Sequence, residues 1–361
     1  MRPFRIALTG DFLDDRGQSA YGSLGLPLLD ARPDVAYRFL RDQAPQAGDP
    51  SYWRRFYSMQ LKPEHVENSD GLIVLRPSVN RATFARGAAD LVVIGRSGAG
   101  YDKIDVDACT ENDVALFNAP DALTHPTASS ALLFMLALAK KMRGQETITR
   151  EGRWDRQAEV MGHEVAGRTL GIIGLGHSGL ELVRLVAPFG MTVIAYSPSA
   201  DPAVAAGRGV RLTSLDEVMR TSDFVSVHAR LTPEKHRMIR AEHLAMMKPT
   251  AYFINIARGE LVDQDALTAR LRDRKIAGAG LDVFEVEPLP RDHPLIGLDN
   301  VILTPHWSCS TADVWNDTGL AMAEGMLRVA RGELPGNLIN PEVADRSGFR
   351  EKLARFAENR S

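Results

Sequence analysis

Short apolar runs alternate with helical or loop segments along the first third of the chain. Four of these runs have the length of a short buried strand, at residues 6–8, 71–75, 91–95 and 115–117. Runs of this kind, separated by helical segments, are typical of parallel strands, because helices cover both faces of such a sheet. The first third therefore predicts an α/β domain built on a parallel sheet.

A second and more regular series begins near residue 167. Its predicted strands are residues 169–173, 192–196, 224–228, 251–255, 277–282 and 301–303. Between the two series, residues 127–142 predict a helix that is apolar nearly all round. We expect this helix to be buried between two domains, because it is shorter than the roughly 20 residues that cross a bilayer. A helix at 312–331 and a charged tail at 346–360, a surface helix or a frayed end, complete the prediction.

Composition narrows the classes of protein that fit this pattern. The 361 residues exceed what one core usually fills, which favours two domains. A net charge of −3 offers no basic surface for nucleic acid. The apolar run at 6–8 is too short for a signal peptide, and the cysteines Cys109 and Cys309 are too few for a disulfide framework. We expect a cytoplasmic protein with no membrane segment and no metal site.

Three glycines follow the first strand of the second series. Gly174 permits a tight turn, Gly176 lets the backbone approach a pyrophosphate, and Gly179 allows a helix to pack closely on the strand. The order of strand, glycines, helix and second strand predicts a dinucleotide site at the helix N-terminus. The chain departs from the usual pattern at Ser197, where an acid normally binds the ribose hydroxyls. We expect NAD as the cofactor, and Ser197 leaves NADP possible.

Three side chains of complementary chemistry follow three other strands of the second series. Arg258 can hold a carboxylate through two parallel hydrogen bonds. His306 can exchange a proton near neutral pH, and a carboxylate such as Glu287 can orient it and stabilise its charged form. Because open α/β sheets bind ligands at the carboxyl ends of their strands, we expect these three side chains to form a site.

The chain resembles the D-isomer-specific 2-hydroxyacid dehydrogenases from about residue 91 to residue 341. The resemblance rests on the glycines at 174–179, on Met247–Pro249 through Arg258, on residues 281–288, and on Thr304–His306. It implies a hydride transfer between NAD(P)H and a small 2-oxo or 2-hydroxy acid with D stereochemistry. Arg258 would hold the carboxylate, His306 would be the acid and base, and Glu287 would pair with His306.

The same resemblance implies roles for further residues. For the cofactor, it assigns His177 and Ser178 to the pyrophosphate, Asp282 and Ile256 to the nicotinamide carboxamide, and Thr127 to a position near the nicotinamide, and it counts His228 among the cofactor-binding residues. For the substrate, it assigns the loop of Ser97, Gly98 and Ala99 to the carboxylate. From the sequence itself, we expect Arg76, which follows a strand of the first series, to reach the substrate's far end or to lie in a surface turn.

The expected fold class is α/β, with two doubly wound parallel sheets and an active-site cleft between the domains. A flavodoxin-like substrate domain would comprise residues 1–122 and 306–341, and a Rossmann cofactor domain residues 123–305, which leaves 342–361 as the tail. The resemblance also implies a homodimer.

Several alternatives compete with this interpretation. A phosphite dehydrogenase has a similar triad, and a dinucleotide-sensing corepressor or binding protein can retain it on the same fold. Glu287 argues against a formate dehydrogenase, since formate oxidation requires no proton acceptor. Cys309, close to His306 in the sequence, would suit a nucleophilic cysteine site, but that alternative leaves the glycine fingerprint unexplained.

Overall fold

A computed structural model describes residues 2–49 and 51–357. The chain divides into two compact units. The first comprises Met1–Leu123 and Ser310–Ser361, and the second comprises Thr124–Cys309. The boundaries expected from the sequence were 122/123 and 305/306, so the structural division falls one residue later at the first boundary and four residues later at the second.

The first unit is built on a five-stranded sheet in which all paired strands are parallel. Its strands are β1 (Phe4–Thr9), β2 (Val35–Leu40), β3 (Gly71–Val74), β4 (Val93–Arg96) and β5 (Ala115–Asn118). The order is β2-β1-β3-β4-β5, which is the flavodoxin-like arrangement.

Helices of the first unit cover both faces of this sheet, each face with its own apolar core. They are α1 (Leu26–Asp30), α2 (Ser51–Arg55), α3 (Pro63–Val66) and α4 (Val106–Glu111), together with α12 (Ala312–Ala330) and α13 (Ser347–Ala354) from the end of the chain. The long helix α12 packs against α1 through a contact without side chains. A Cβ atom on Gly25 would come within 2.3 Å of the Gly319 carbonyl oxygen.

The second unit is built on a seven-stranded sheet, again with every pair parallel. Its strands are β6 (Thr169–Ile173), β7 (Thr192–Tyr196), β8 (Val210–Leu212), β9 (Phe224–Val227), β10 (Tyr252–Asn255), β11 (Gly278–Leu281) and β12 (Val301–Leu303). The order β12-β11-β10-β9-β6-β7-β8 contains the Rossmann arrangement, in which the chain reverses direction across the sheet between β6 and β9. The expected fold class of two parallel-sheet domains is confirmed.

Two apolar cores lie on the two faces of the second sheet. Along β6, Leu170 and Ile172 belong to one core and Ile173 to the other, as the alternation of side chains along a strand requires. The helices of this part of the chain are α5 (Pro120–Ala139), α6 (Met142–Arg150), α7 (His177–Val186), α8 (Pro202–Gly207), α9 (Leu215–Thr221), α10 (Ala241–Met246) and α11 (Gln264–Arg272).

Helix α5 is longer than the sequence predicted. It begins before Pro126 and spans 20 residues, so within the described residues it is the one helix with the length and composition to cross a membrane. Its Ala131, Phe134 and Met135 nevertheless belong to one core of the second sheet. A Cβ atom on Gly280 of β11 would come within 2.7 Å of the Phe134 side chain. We therefore interpret α5 as a core helix.

Two strands and the C-terminal segment differ from the sequence prediction. Strands β2 and β8 had not been predicted. The segment expected as a surface or frayed tail contains α13, where Phe349 is 1% exposed and belongs to the same core as Phe4. The ring of Phe356, just after α13, meets that of Phe4 edge to face at 5.0 Å. Residues 358–361 of the predicted tail lie outside the described residues.

We expect the substitution Phe349→Ala to lower the free energy of unfolding of the first unit by about 3–5 kcal/mol, because it removes a buried aromatic side chain and leaves a cavity. Chemical denaturation followed by circular dichroism measures the change. Glu351→Ala is the matched control, since Glu351 lies on the same helix and is exposed. Equal midpoints for the two variants would contradict the packing of α13.

Candidate active site

The loop after β6 contains the three glycines of the fingerprint, and each has a different environment. Gly174 has a φ of +96°, and a Cβ atom there would lie 2.5 Å from the Ala229 backbone nitrogen. A Cβ atom on Gly179 would come within 2.6 Å of the Gly174 carbonyl oxygen. Gly176 faces open space and precedes α7, whose N-terminus has no side-chain cap. The first turn of α7 therefore presents backbone N–H groups at an open surface, as a dinucleotide phosphate site requires.

A hydrogen-bonded group of side chains lies beside this loop. His228 follows β9, and its Nδ1 lies 3.1 Å from the Ser178 hydroxyl while its Nε2 lies 3.0 Å from the Ser226 hydroxyl. Burial lowers the pKa of His228 to about 4, so the ring is neutral at physiological pH. His177 is exposed at the first position of α7. The predicted pyrophosphate residues thus lie at the open N-terminus of α7.

The end of β7 differs from the usual dinucleotide site. Ser197 follows the strand and is half-buried. The nearest acid along the chain, Asp201, caps α8 by accepting a hydrogen bond from the Ala203 backbone N–H at 2.7 Å. Because that carboxylate is already engaged, Ser197 is the side chain that the loop offers at the position of the ribose acid.

Arg258 lies in a tight turn after β10. The Asn255 side chain fixes this turn, since its amide donates to the Arg258 carbonyl at 2.9 Å and its oxygen accepts from the Ala257 N–H at 3.1 Å. A Cβ atom on Gly259 would overlap the backbone of Phe284 at 1.9 Å. The half-buried Arg258 is thus held next to the segment that follows β11, and Ile256 is buried in one of the cores.

His306 and Glu287 form a direct pair. The Nδ1 atom of His306 lies 2.8 Å from Glu287 Oε2, and the other carboxylate oxygen accepts from the Phe284 N–H at 3.1 Å. The two side chains are 31% and 16% exposed. The carboxylate is therefore fixed by the backbone on one side and engages the imidazole on the other, which leaves Nε2 as the ring nitrogen that Glu287 does not engage.

Asp282 organises the loop that carries His306. One oxygen of its carboxylate accepts from the Thr304 hydroxyl at 2.6 Å and from the N–H groups of Trp307 and Ser308 at 2.9 and 3.0 Å. Its own carbonyl accepts from the His306 N–H at 2.7 Å. These bonds stabilise the left-handed backbone of His306, whose φ is +56°. The predicted contact of Asp282 with the nicotinamide stays a prediction, and the role that the structure shows for Asp282 is this positioning of the loop.

Cys309 lies near the remaining predicted residue of this unit. Its thiol interacts with the Thr127 hydroxyl of α5, and burial raises its pKa to about 11. A thiol with that pKa is protonated at neutral pH and is a poor nucleophile. The structure therefore disfavours the cysteine–histidine alternative.

The predicted substrate loop lies in the first unit, after β4. The N–H of Ser97 donates to the Val74 carbonyl at 2.8 Å. The N–H groups of Gly98, Ala99 and Gly100 donate to no group in the described part of the chain. Gly98 has a φ of +144° and lies against the guanidinium of Arg96. Successive N–H groups of this kind suit an anion, so the donors to expect are residues 98–100 rather than Ser97 itself.

The Arg76 side chain is only 10% exposed, and it does not lie in the surface turn that was one of its two expected placements. It follows β3, and its guanidinium lies 4.2 Å from the centroid of the Phe56 ring. Its Nη1 lies 3.6 Å from the carboxylate of Asp11, a buried residue after β1. Asp11, Arg76 and the 98–100 loop all follow strands of one sheet at its carboxyl edge.

The comparisons with known proteins agree with this geometry. Residues 132–308 match the family model described as the D-isomer specific 2-hydroxyacid dehydrogenase, NAD binding domain. A glyoxylate reductase from Korarchaeum cryptofilum is 38% identical over 283 residues, which cover 78% of this chain and 85% of that protein. A D-3-phosphoglycerate dehydrogenase from Methanocaldococcus jannaschii is 40% identical over 77% of this chain, but the match spans only 53% of that longer protein.

The chain belongs to the D-isomer-specific 2-hydroxyacid dehydrogenases. These are NAD(P)-dependent oxidoreductases that act on CH–OH donors. The crystal structure of a glyoxylate reductase from Paecilomyes thermophila matches with a TM-score of 0.77 and 27% identity, over 95% of this chain and 99% of that one. The resemblance stated from the sequence is thereby confirmed, as is NAD(P) as the cofactor class.

Three residues of this family member carried no clear signal in the sequence. Arg96 lies beside Gly98 and is therefore a cation next to the 98–100 loop. The sequence of residues 95–100, in which glycines follow a strand end, could have indicated it. Asp11 is an acid directly after the first strand. Tyr52 is buried although it lies in a segment with the composition of a loop. The burial of Asp11 and Tyr52 depends on packing between distant segments.

We expect Ser197→Asp to lower the ratio of kcat/KM with NADPH to kcat/KM with NADH, because a carboxylate repels the 2′-phosphate and binds the ribose hydroxyls. Initial rates with each cofactor measure the ratio. Ser199→Asp is the matched control, since Ser199 lies two residues further on and is exposed. An unchanged ratio in Ser197→Asp would show that this position does not select the cofactor.

Proposed function

We propose that this protein transfers a hydride between NAD(H) and a small 2-oxo or D-2-hydroxy acid in the cytoplasm. The observation that carries the proposal is the His306–Glu287 pair, in which Nδ1 lies 2.8 Å from Oε2. His306 follows β12 and Glu287 follows β11, and these two strands are neighbours in the sheet. Arg258 follows the adjacent strand β10, so three neighbouring strand ends supply a proton donor, its partner and a cation. A 2-oxo acid presents the carbonyl and the carboxylate that this set complements.

The glycine loop and α7 fit a dinucleotide. An open face at Gly176 and an uncapped helix N-terminus would receive the pyrophosphate, with His177 and Ser178 beside it. Ser178 is kept in place by the neutral His228. When bound, the nicotinamide supplies the hydride in reduction and accepts it in oxidation. We favour NAD over NADP because no arginine follows Ser197 directly to pair with a 2′-phosphate, while the missing acid at Ser197 leaves NADP open.

Arg258 holds the substrate's carboxylate in this proposal. A guanidinium binds a carboxylate through two parallel hydrogen bonds, which orients the adjacent carbonyl carbon as well as binding the acid. The Asn255 side chain and the close backbone contact at Gly259 restrict the turn from which Arg258 extends. Binding and orientation thus come from one residue on a constrained turn.

His306 moves the proton. In reduction, the protonated imidazole donates from Nε2 to the carbonyl oxygen as that oxygen gains negative charge, and Glu287 accepts from Nδ1 throughout. In oxidation, Nε2 of the neutral ring accepts the proton of the substrate hydroxyl. Glu287 stabilises the imidazolium that forms, and the Phe284 N–H keeps the carboxylate in place.

We expect His306→Ala to lower kcat for 2-oxo acid reduction by roughly 10²–10⁴-fold, because it removes the proton donor, while the dissociation constant for NADH changes little. Steady-state rates and fluorescence titration of NADH measure the two quantities. His163→Ala is the control, since His163 is an exposed histidine of the same unit. Unchanged turnover in His306→Ala would contradict the assignment.

The same assays separate the alternative functions. A panel of 2-oxo acids run with NADH and with NADPH identifies the reaction, and phosphite oxidation with NAD tests the phosphite alternative. Tight binding of NADH without oxidation or reduction of any acid would instead favour a dinucleotide-sensing protein and would refute the enzymatic proposal.

We also propose that the protein is a homodimer. Four large apolar side chains in or just after α5 and α6 are exposed, and groups of exposed apolar side chains are a common feature of protein–protein interfaces. They are Leu133 (60%), Met142 (58%), Trp154 (64%) and Met161 (70%). Pairing of two chains through this surface would remove it from water.

We expect light scattering to give twice the mass of one chain, and we expect the double variant Trp154→Glu/Met161→Glu to shift the protein toward the monomer. Two buried carboxylates without partners would oppose association. Val204→Glu is the control, because Val204 is an exposed apolar residue on α8. A monomeric wild-type chain at micromolar concentration would contradict the proposal.

A further inference from the structure

The first unit contains a cavity of about 680 Å³ that the proposed mechanism does not use. It is formed by the segment after β1 and by α2 with the residues that precede it. Its lining includes the acids Asp11, Asp14, Asp15 and Asp49 and the aromatic side chains of Tyr21, Tyr52, Trp53 and Phe56. The described lining residues include no lysine or arginine, so the walls combine negative charge with aromatic surface.

Among the residues that the structure describes, two of the four acids have no ionic partner. Asp49 accepts a hydrogen bond from the Ser51 N–H at 2.8 Å and forms an ion pair with Arg55 at 3.0 Å, and Asp11 lies 3.6 Å from Arg76. Asp14 accepts hydrogen bonds from two backbone N–H groups of its own loop but forms no ion pair, and the exposed Asp15 forms neither kind of contact within the described chain. The cavity therefore carries an excess of negative charge.

Two buried polar atoms of lining residues also have no partner. Asp11 and Tyr52 are each 1% exposed. In the described part of the chain, neither Asp11 Oδ1 nor the Tyr52 hydroxyl has a hydrogen-bond partner. Buried polar groups are nearly always hydrogen-bonded, because leaving them unpaired away from water costs free energy. Each of the two oxygens can accept a hydrogen bond, so the residues that line the cavity have acceptors that the described chain leaves without donors.

The aromatic walls suit a cation in particular. The guanidinium of Arg76 already lies over the Phe56 ring, and that of Arg55 lies 5.9 Å from the centroid of Tyr52. The face of an aromatic ring attracts a cation through its quadrupole, most strongly for tryptophan. Trp53, which is 57% exposed and lines the cavity, offers such a ring at an accessible position.

We propose that this cavity binds the ammonium or guanidinium group at the far end of the substrate, which makes the substrate a 2-oxo acid with a cationic tail. The second half of the proposal rests on the proposed function. Asp11 follows β1 and the 98–100 loop follows β4, at the same edge of the sheet with β3 between them. Two strand spacings correspond to about 10 Å, a span suited to a carboxylate and a cation separated by a chain as long as that of arginine.

Two 2-oxo acids of equal length test the substrate assignment. We expect kcat/KM for 5-guanidino-2-oxopentanoate to exceed that for 2-oxo-5-ureidopentanoate by about tenfold or more, because the two tails differ by one charge and hydrogen bonds to charged groups are the stronger ones. The substitutions Asp15→Asn and Asp14→Asn should each reduce this ratio. An asparagine at position 14 keeps a side-chain oxygen that can accept the two N–H hydrogen bonds of the loop. Asp107→Asn, an exposed acid on α4, should leave it unchanged.

A binding measurement keeps the cavity testable without turnover. Calorimetric titration with agmatine should show binding that the double variant Asp14→Asn/Asp15→Asn weakens by about tenfold, with no change in Asp107→Asn. An agmatine dissociation constant that is the same in the wild-type protein and in the double variant would overturn the cation site. Agmatine binding that depends on the two acids, combined with a guanidino-to-ureido ratio near one, overturns the substrate assignment. Failure of every 2-oxo acid to react overturns the proposed function while the titration still decides the site.

Discussion

The carboxylate of Asp282 is the group on which the candidate site depends. One of its oxygens accepts three hydrogen bonds from the segment that carries His306, and its carbonyl accepts a fourth from His306 itself. A carboxylate that accepts several N–H and O–H donors fixes their relative positions more firmly than neutral groups would. His306 has a left-handed backbone conformation, which costs free energy for a residue with a side chain. The hydrogen bonds to Asp282 stabilise the loop in that conformation. The Glu287 contact can form only because the loop is already held.

The parallel sheets could be predicted because their strands are apolar on both faces. Strands such as β6 and β10 lie in the middle of a sheet under helices on both sides, so nearly every residue is buried and the run is visible in the sequence. Strand β2 lies at an edge and alternates between half-buried and exposed residues, with Arg38 in its middle, so it lacks that signal. Strand β8 has three residues and is also an edge strand.

The candidate site could be predicted to the extent that it follows strand ends. Arg258, Glu287 and His306 each come within a few residues of a predicted strand, and the register of β10, β11 and β12 makes their ends neighbours. Tyr52 and Asp11 could not be assigned in this way. Their environment arises where the segment after β1 meets α2, about 40 residues later, and no periodicity in either segment records that contact. The burial of α13 depends likewise on Phe4 at the other end of the chain.

The division of labour between the two oxygens of Glu287 has an evolutionary consequence. Its Oε1 accepts a hydrogen bond from the backbone N–H of Phe284, a donor that every residue except proline supplies. Between them, Val286 is 60% exposed, so its side chain contributes little to the core. Position 286 can therefore diverge between related proteins without disturbing the acid that partners His306. Sequence variation there can alter the outer surface of the loop while the proton-transfer pair is inherited intact.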